Sequence, residues 1–222
     1  MASDGILSLS TTIMKSLLPT LATSLAACAL VIPAQAADEE IKSEKLGVSV
    51  TTSSDWGKKE QLMLQMMNQI ATGSVHFHAK AKGIPLDPKT IDAAVILMQT
   101  KQAAGEGGDN PNLILSYEKA WMPEAGTSGK AYLTLMAERM RLGKTPTELQ
   151  GEITELKAGD FTFHCQDAVN TRVVGAPTKQ QYLCTYLDGR YVYFVLSYNS
   201  KDDADYAAML KVVKSFRRSA AK

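Results

Sequence analysis

The chain has 222 residues, 45% of them hydrophobic, with 24 basic and 23 acidic side chains and a net charge of +1. That balance excludes a disordered tail protein, a collagen-like repeat and a polytopic membrane protein. It also excludes the strongly basic face that binds phosphate backbones, so no nucleic acid is expected as a partner.

The first element is an address. Lys15 precedes an uncharged apolar run from Ser16 to Ile32, Pro33 ends it, and Ala34-Gln35-Ala36 offers the small-x-small site of a signal peptidase. Residues 1–36 therefore read as a signal peptide cleaved between Ala36 and Ala37, with the product exported to the periplasm. Pro19, Thr20 and Thr23 make the run a poor membrane span. Met1 to Ile13 carry only Asp4 where a basic region belongs, which points to a translation start at Met14. Leu25-Ala26-Ala27-Cys28 has the form of a lipobox, in which Cys28 would be acylated. The apolar stretch Ala29 to Ile32 is unlike the polar tether of a lipoprotein, so a soluble product is favoured. Membrane attachment is expected only if Cys28 is lipidated.

Residues 37–45 read as a flexible lead-in, 46–217 as a single domain and 218–222 as a basic tail. Leu46 to Val50 alternates as a strand does. Ser53-Ser54-Asp55 offers caps for a helix burying Leu62, Met63, Met66, Met67 and Ile70 and stopping at Gly73. Pro85 and Pro88 bracket a loop. Ala93 to Thr100 fits a buried strand or a helix end, Gly105 to Pro111 a flexible turn, and Leu113 to Lys119 a strand. Ser128 caps a second helix with Tyr132, Leu135, Met136 and Met140 inward and Gly143 at its end. Phe161 to Val169, Gln180 to Leu187 and Tyr191 to Asn199 alternate as strands, with turns near Val174-Gly175 and at Asp188-Gly189. Asp202 or Asp203 caps a last helix that docks through Tyr206, Leu210, Val213 and Phe216, with Met209 on the same side. This order predicts an α+β fold, an α/β/α sandwich whose central, mostly antiparallel sheet is flanked by helices.

Asn110-Pro111-Asn112-Leu113-Ile114-Leu115-Ser116-Tyr117-Glu118, followed by a capped helix containing Tyr132, resembles bacterial members of the PsbP/Mog-like superfamily. The ending Gly189-Arg190-Tyr191-Val192-Tyr193, a strand, and a helix finishing in Lys214-Ser215-Phe216 does so too. The resemblance covers residues 46 to 217. It implies the sandwich fold and no common catalytic residues. Together with the export signal, it points to envelope members similar to DcrB.

Candidate chemistry is sparse. On a strand, His76 and His78 would share a face and could hold a transition metal near Met63, Met66 and Met67, with Phe77 turned into the core. On a helix they would point about 200° apart and could not. His164-Cys165 are adjacent on a strand and face opposite ways, so a hydrolase centred on His164 ranks last. Glu118, Glu138 and Asp160 read as ordinary surface carboxylates. Gly143-Lys144-Thr145 follows a helix instead of opening one, unlike a phosphate loop. Trp121 in a small-residue loop is a candidate partner contact or a cap on the core edge.

Three cysteines are encoded. With Cys28 removed, Cys165 and Cys184 remain, and a hairpin centred between residues 174 and 175 would set them opposite each other. In an oxidising periplasm that predicts a structural disulfide. The expected function is non-enzymatic, without cofactor: binding of another envelope component. The alternative is metal binding by His76 and His78.

Overall fold

Residues 38–53, 56–58, 61–101, 111–121, 126–171 and 177–219 are described in the computed structural model. The expectations for Met14, Cys28, Ala36, Ala37, Ser54-Asp55, the Gly105 turn and Val174-Gly175 lie outside them.

The chain starts with β1 (Glu39–Ser43), β2 (Val48–Thr52) and the short β3 (Gly57–Lys58), then the long helix α1 (Gln61–Ala81) and a 3-10 turn at Pro88–Thr90. The hairpin-like pair β4 (Ala93–Thr100) and β5 (Asn112–Lys119) precedes α2 (Gly129–Gly143). A meander follows: β6 (Thr147–Ala158), β7 (Phe161–Asn170), β8 (Thr178–Leu187) and β9 (Arg190–Tyr198). The chain closes with α3 (Ala204–Lys214) and β10 (Arg217–Arg218). A seven-stranded sheet runs β3-β4-β5-β9-β8-β7-β6, and a three-stranded sheet runs β1-β2-β10. Among the described residues every strand pairing is antiparallel. The fold is the expected α+β sandwich.

Alternation along β9 decides what each face of the large sheet buries. Val192, Phe194 and Leu196 join the core under α3, with Met209, Val213, Phe216 and the small sheet's Val48 and Val50. Tyr191 and Val195 join the other core, under α2, with Tyr132, Leu133 and Leu135. Three local predictions hold. Ser128 Oγ accepts from the Ala131 N–H at 3.1 Å and caps α2. Asp203 occupies the N-cap position of α3, although its side chain makes no cap bond there. Asp188 and Gly189, both at positive φ, make the β8–β9 turn.

Other expectations are corrected. Residues 37–45 were expected to be a loose lead-in, yet Glu39–Ser43 pairs with β2 as a strand. Arg218, assigned to a tail, pairs with Val48. The twelve-residue β6 has no counterpart in the sequence reading: it is a sheet edge with mostly exposed side chains, so it carries little apolar alternation. α1 runs through Gly73 to Ala81 and buries Val75, His78 and Ala79. Its expected inner residues Leu62, Met63, Met66 and Ile70 face outward. On α3, Leu210 is only partly buried, and Met209 takes the central core position.

Gly129 is required by close approach. A Cβ there would stand 1.9 Å from the Cys184 carbonyl oxygen, so α2 can start against β8 only without a side chain.

Candidate functional site

The β7–β8 hairpin pairs His164 with Cys184 and Cys165 with Leu183. That register is one residue away from the expected Cys165–Cys184 pairing. Because side chains alternate, a slip of one sends the two thiols to opposite faces. Cys165 lies in the core under α3 and Cys184 in the core under α2, and both are free. The disulfide is therefore corrected to two buried thiols. Burial, reinforced by Asp167, pushes the Cys165 thiol up to about 12. Burial likewise pushes Cys184 well above its ordinary value. Neither is a ready nucleophile.

His76 and His78 sit on α1, so they diverge by about 200° and cannot share a metal. Their neighbour reverses too: Phe77 is exposed and His78 is buried. Among the described residues, no group of three or more His, Cys, Asp or Glu is arranged to hold a metal ion. His164 pairs across the strands with Cys184, its Nε2 3.6 Å from Glu155 Oε1, while Cys165 faces the other core.

What the fold does assemble is a buried polar cluster. Glu118, one residue before the end of β5, is 2% exposed, which corrects its reading as a surface carboxylate. Arg139 reaches it from the inner face of α2 with a two-pronged contact: Nη1 donates to Oε2 at 2.7 Å and Nη2 donates to Oε1. Trp121 Nε1 donates to Oε1 at 2.8 Å and the Tyr132 hydroxyl to Oε2 at 3.1 Å. The carboxylate thus accepts from four donors and has no free lone pair with which to take a substrate proton.

Arg139 Nε donates to His78 Nδ1 at 2.9 Å, which joins α1 to the same cluster. Burial opposes the Arg139 charge, but hydrogen bonding to Glu118 and its field outweigh burial and hold the guanidinium protonated. Burial first, and the positive Arg139 second, lower the His78 pKa. Its imidazole is accordingly neutral, with Nδ1 accepting and the proton on Nε2. Nε2 lies 3.6 Å from Glu138 Oε2, beyond hydrogen-bond distance. The indole of Trp121 meets the His78 ring edge-on at 5.6 Å and lies under the Arg139 guanidinium at 5.6 Å. Trp121 therefore uses its N–H and part of its ring inside, as a cap on the core edge, while it stays half-exposed and lines a cleft.

Two signals for this cluster stood in the sequence. Glu118 continues the Ile114, Ser116 period of β5, and Arg139 falls seven residues after Tyr132, two helical turns along the inner face of α2.

Beside the cluster a cleft of about 250 Å³ is lined by Val75, Leu86, Ile91, Asp92, Lys119 and Trp121. Asp92 is already engaged: Arg190 Nη2 donates to its Oδ2 at 2.9 Å and Lys45 Nζ to its Oδ1. Burial works to raise the Asp92 pKa, but the Lys45 and Arg190 hydrogen bonds prevail and lower it.

The outer face of α1 is the opposite case. Asn68 anchors the helix, its Oδ1 accepting from the Val95 N–H where the β4–β5 register shifts. That contact and the inward Val75, His78 and Ala79 turn the other side of the helix to solvent. Leu62 is 66% exposed and Ile70 61%, and Met63, Met66 and Phe77 are exposed with them. At spacings of four, eight and fifteen residues from Leu62, the residues Met66, Ile70 and Phe77 form one apolar stripe.

No family model matches the chain, and no curated protein matches it. Among solved structures it is similar to the solution structure of cyanobacterial PsbP (CyanoP) from Synechocystis sp. PCC 6803. The identity is 13%, the match covers 82% of this chain and 93% of that chain, and the TM-score is 0.46. At that level nothing about function transfers.

Proposed function

We propose that this is an exported, periplasmic, non-enzymatic protein that binds another component of the cell envelope through the outer face of α1. The observation that carries the reading is the stripe of exposed Leu62, Met66, Ile70 and Phe77 on a helix whose other side is packed. A soluble domain leaves such a row uncovered at a cost, because each side chain forgoes burial worth about 1.5–3 kcal/mol. The buried cluster supports the same reading from the other direction: Glu118 and His78 are saturated or neutral, so they stiffen the base of α1 and offer no reacting group. The order of elements and the short patterns around Ser116-Tyr117-Glu118 and Tyr191-Val192-Tyr193 support placing the chain in the PsbP/Mog-like superfamily, near members similar to DcrB. The Ala34-Gln35-Ala36 site supports export.

The test is a photoreactive amino acid at Met66, compared with one at Lys157 on exposed β6, in cells that export the protein. Adducts with envelope material, protein or lipid, are expected at Met66 above the Lys157 background. Equal labelling at the two positions refutes the reading.

A further inference from the structure

From the outer face of α1 we infer that its occupant is the surface of an anionic lipid bilayer, on which the helix lies flat. This rests on the docking role proposed for that face. Two features of the surface favour a bilayer over a second protein.

The first is area. Leu62 to Phe77 span about 22 Å at 1.5 Å per residue, and a helix is about 10 Å wide, so the apolar footprint is roughly 200–250 Å². A stable protein interface buries about 800 Å² on each partner. Exposed Met63 widens the patch on one flank, but the groove on the other is lined by Asn68, Gln69, Thr72, His76 and Pro88, so the patch stays well short of that area. A bilayer sets no such minimum, since each apolar side chain gains separately on entering the interface.

The second is charge. The sequence of α1 contains no acidic residue. Lys80 falls on the same side as Leu62, five turns along, and is exposed. Lys89 on the following 3-10 turn is exposed as well, and Lys82 is exposed and shared with Glu138. Asp87 lies among these lysines, its Oδ1 accepting from the Lys89 backbone N–H. An apolar centre with cationic groups at one end is complementary to a headgroup layer carrying negative charge. Two antiparallel copies would gain no opposite charges, because the helix has none to offer. Among the described residues no helix is long and apolar enough to cross a membrane, which suits adsorption instead of insertion.

The experiment is flotation of the purified protein with vesicles of phosphatidylcholine alone or with about a third phosphatidylglycerol. Bromine-labelled lipid is then used to quench the added fluorescence of Phe77→Trp. Binding to the anionic vesicles is expected, with Phe77→Trp quenched. A combined Leu62→Ser, Met66→Ser, Ile70→Ser variant should bind more than about tenfold more weakly. Lys80→Gln should bind about fivefold more weakly. All these side chains are exposed, so an unchanged urea midpoint verifies that each variant is folded. No flotation on either vesicle, while Met66 still photolabels a protein in cells, overturns the bilayer and leaves the docking role standing. No flotation and no photolabelling removes both. Self-association in sedimentation equilibrium that the triple serine variant abolishes assigns the face to a second copy, and likewise overturns the bilayer.

Discussion

Removing one charge from the buried Glu118–Arg139 pair should be among the most damaging single changes in this protein. Arg139→Leu deletes two hydrogen bonds to the Glu118 carboxylate and one to His78 Nδ1. It leaves a carboxylate that is 2% exposed with only the Trp121 indole and the Tyr132 hydroxyl as donors. Breaking a buried pair on one side costs about 3–5 kcal/mol, chiefly because the surviving charge stays desolvated. Glu118→Leu should fall in the same range, since it strands the guanidinium. The double variant removes both charges and so avoids that penalty, but it orphans Trp121 Nε1, the Tyr132 hydroxyl and His78 Nδ1. Trp121 is only half-buried, so its N–H can reach water and the low end of the range, about 1 kcal/mol for each group left unpaired, applies; the double variant should then cost about 3 kcal/mol, as much as one single change and less than the sum of the two. Urea unfolding of the four proteins at pH 7.5, followed by circular dichroism, measures the coupling, expected near 3 kcal/mol. Coupling below about 0.5 kcal/mol would mean the pair is solvated, and the account of the cluster would be wrong.

Acid should destabilise the fold through His78. Its folded-state pKa is lowered by burial and by Arg139, so below about 6.5 the unfolded chain binds a proton that the folded one refuses. The stabilisation is complete above 6.5 and shrinks as pH falls below it, by up to about 1.4 kcal/mol per pH unit; a flat profile between pH 7 and 5.5 in urea titrations would contradict this. Native protein should react slowly with iodoacetamide and yield alkylated Cys165 and Cys184 only on denaturation without reductant; a mass showing a Cys165–Cys184 bridge would overturn the register argument. Gly129→Ala should destabilise by at least about 1–3 kcal/mol in thermal melts despite alanine's better helix propensity, because its Cβ meets the Cys184 carbonyl. Met209→Ala should cost about 2–5 kcal/mol and Leu210→Ala clearly less, since only Met209 is fully buried; equal losses in urea titrations would refute the orientation of α3.

Local patterns carried much of the fold. β7, β8 and β9 were legible because runs rich in β-branched and aromatic residues, bounded by turn signals, mark strands even where both faces are covered. The cap at Ser128 and the turn at Asp188-Gly189 are equally local, because backbone donors and positive φ angles are satisfied within a few residues. Long-range choices were not legible in the same way. An amphipathic helix states that it has an apolar stripe but not whether the stripe faces inward, and in α1 the contacts made by Asn68 and His78 turned it out. The β7–β8 register differs by a single residue from the expected one, and that one step separates Cys165 from Cys184. Glu118, Arg139 and His78 come from three different elements. Each was visible as a polar residue in an apolar period, but only the packing of β5, α2 and α1 could show that they complete one another. Burial of a charge is affordable only where its partners converge, and convergence is a property of the folded chain.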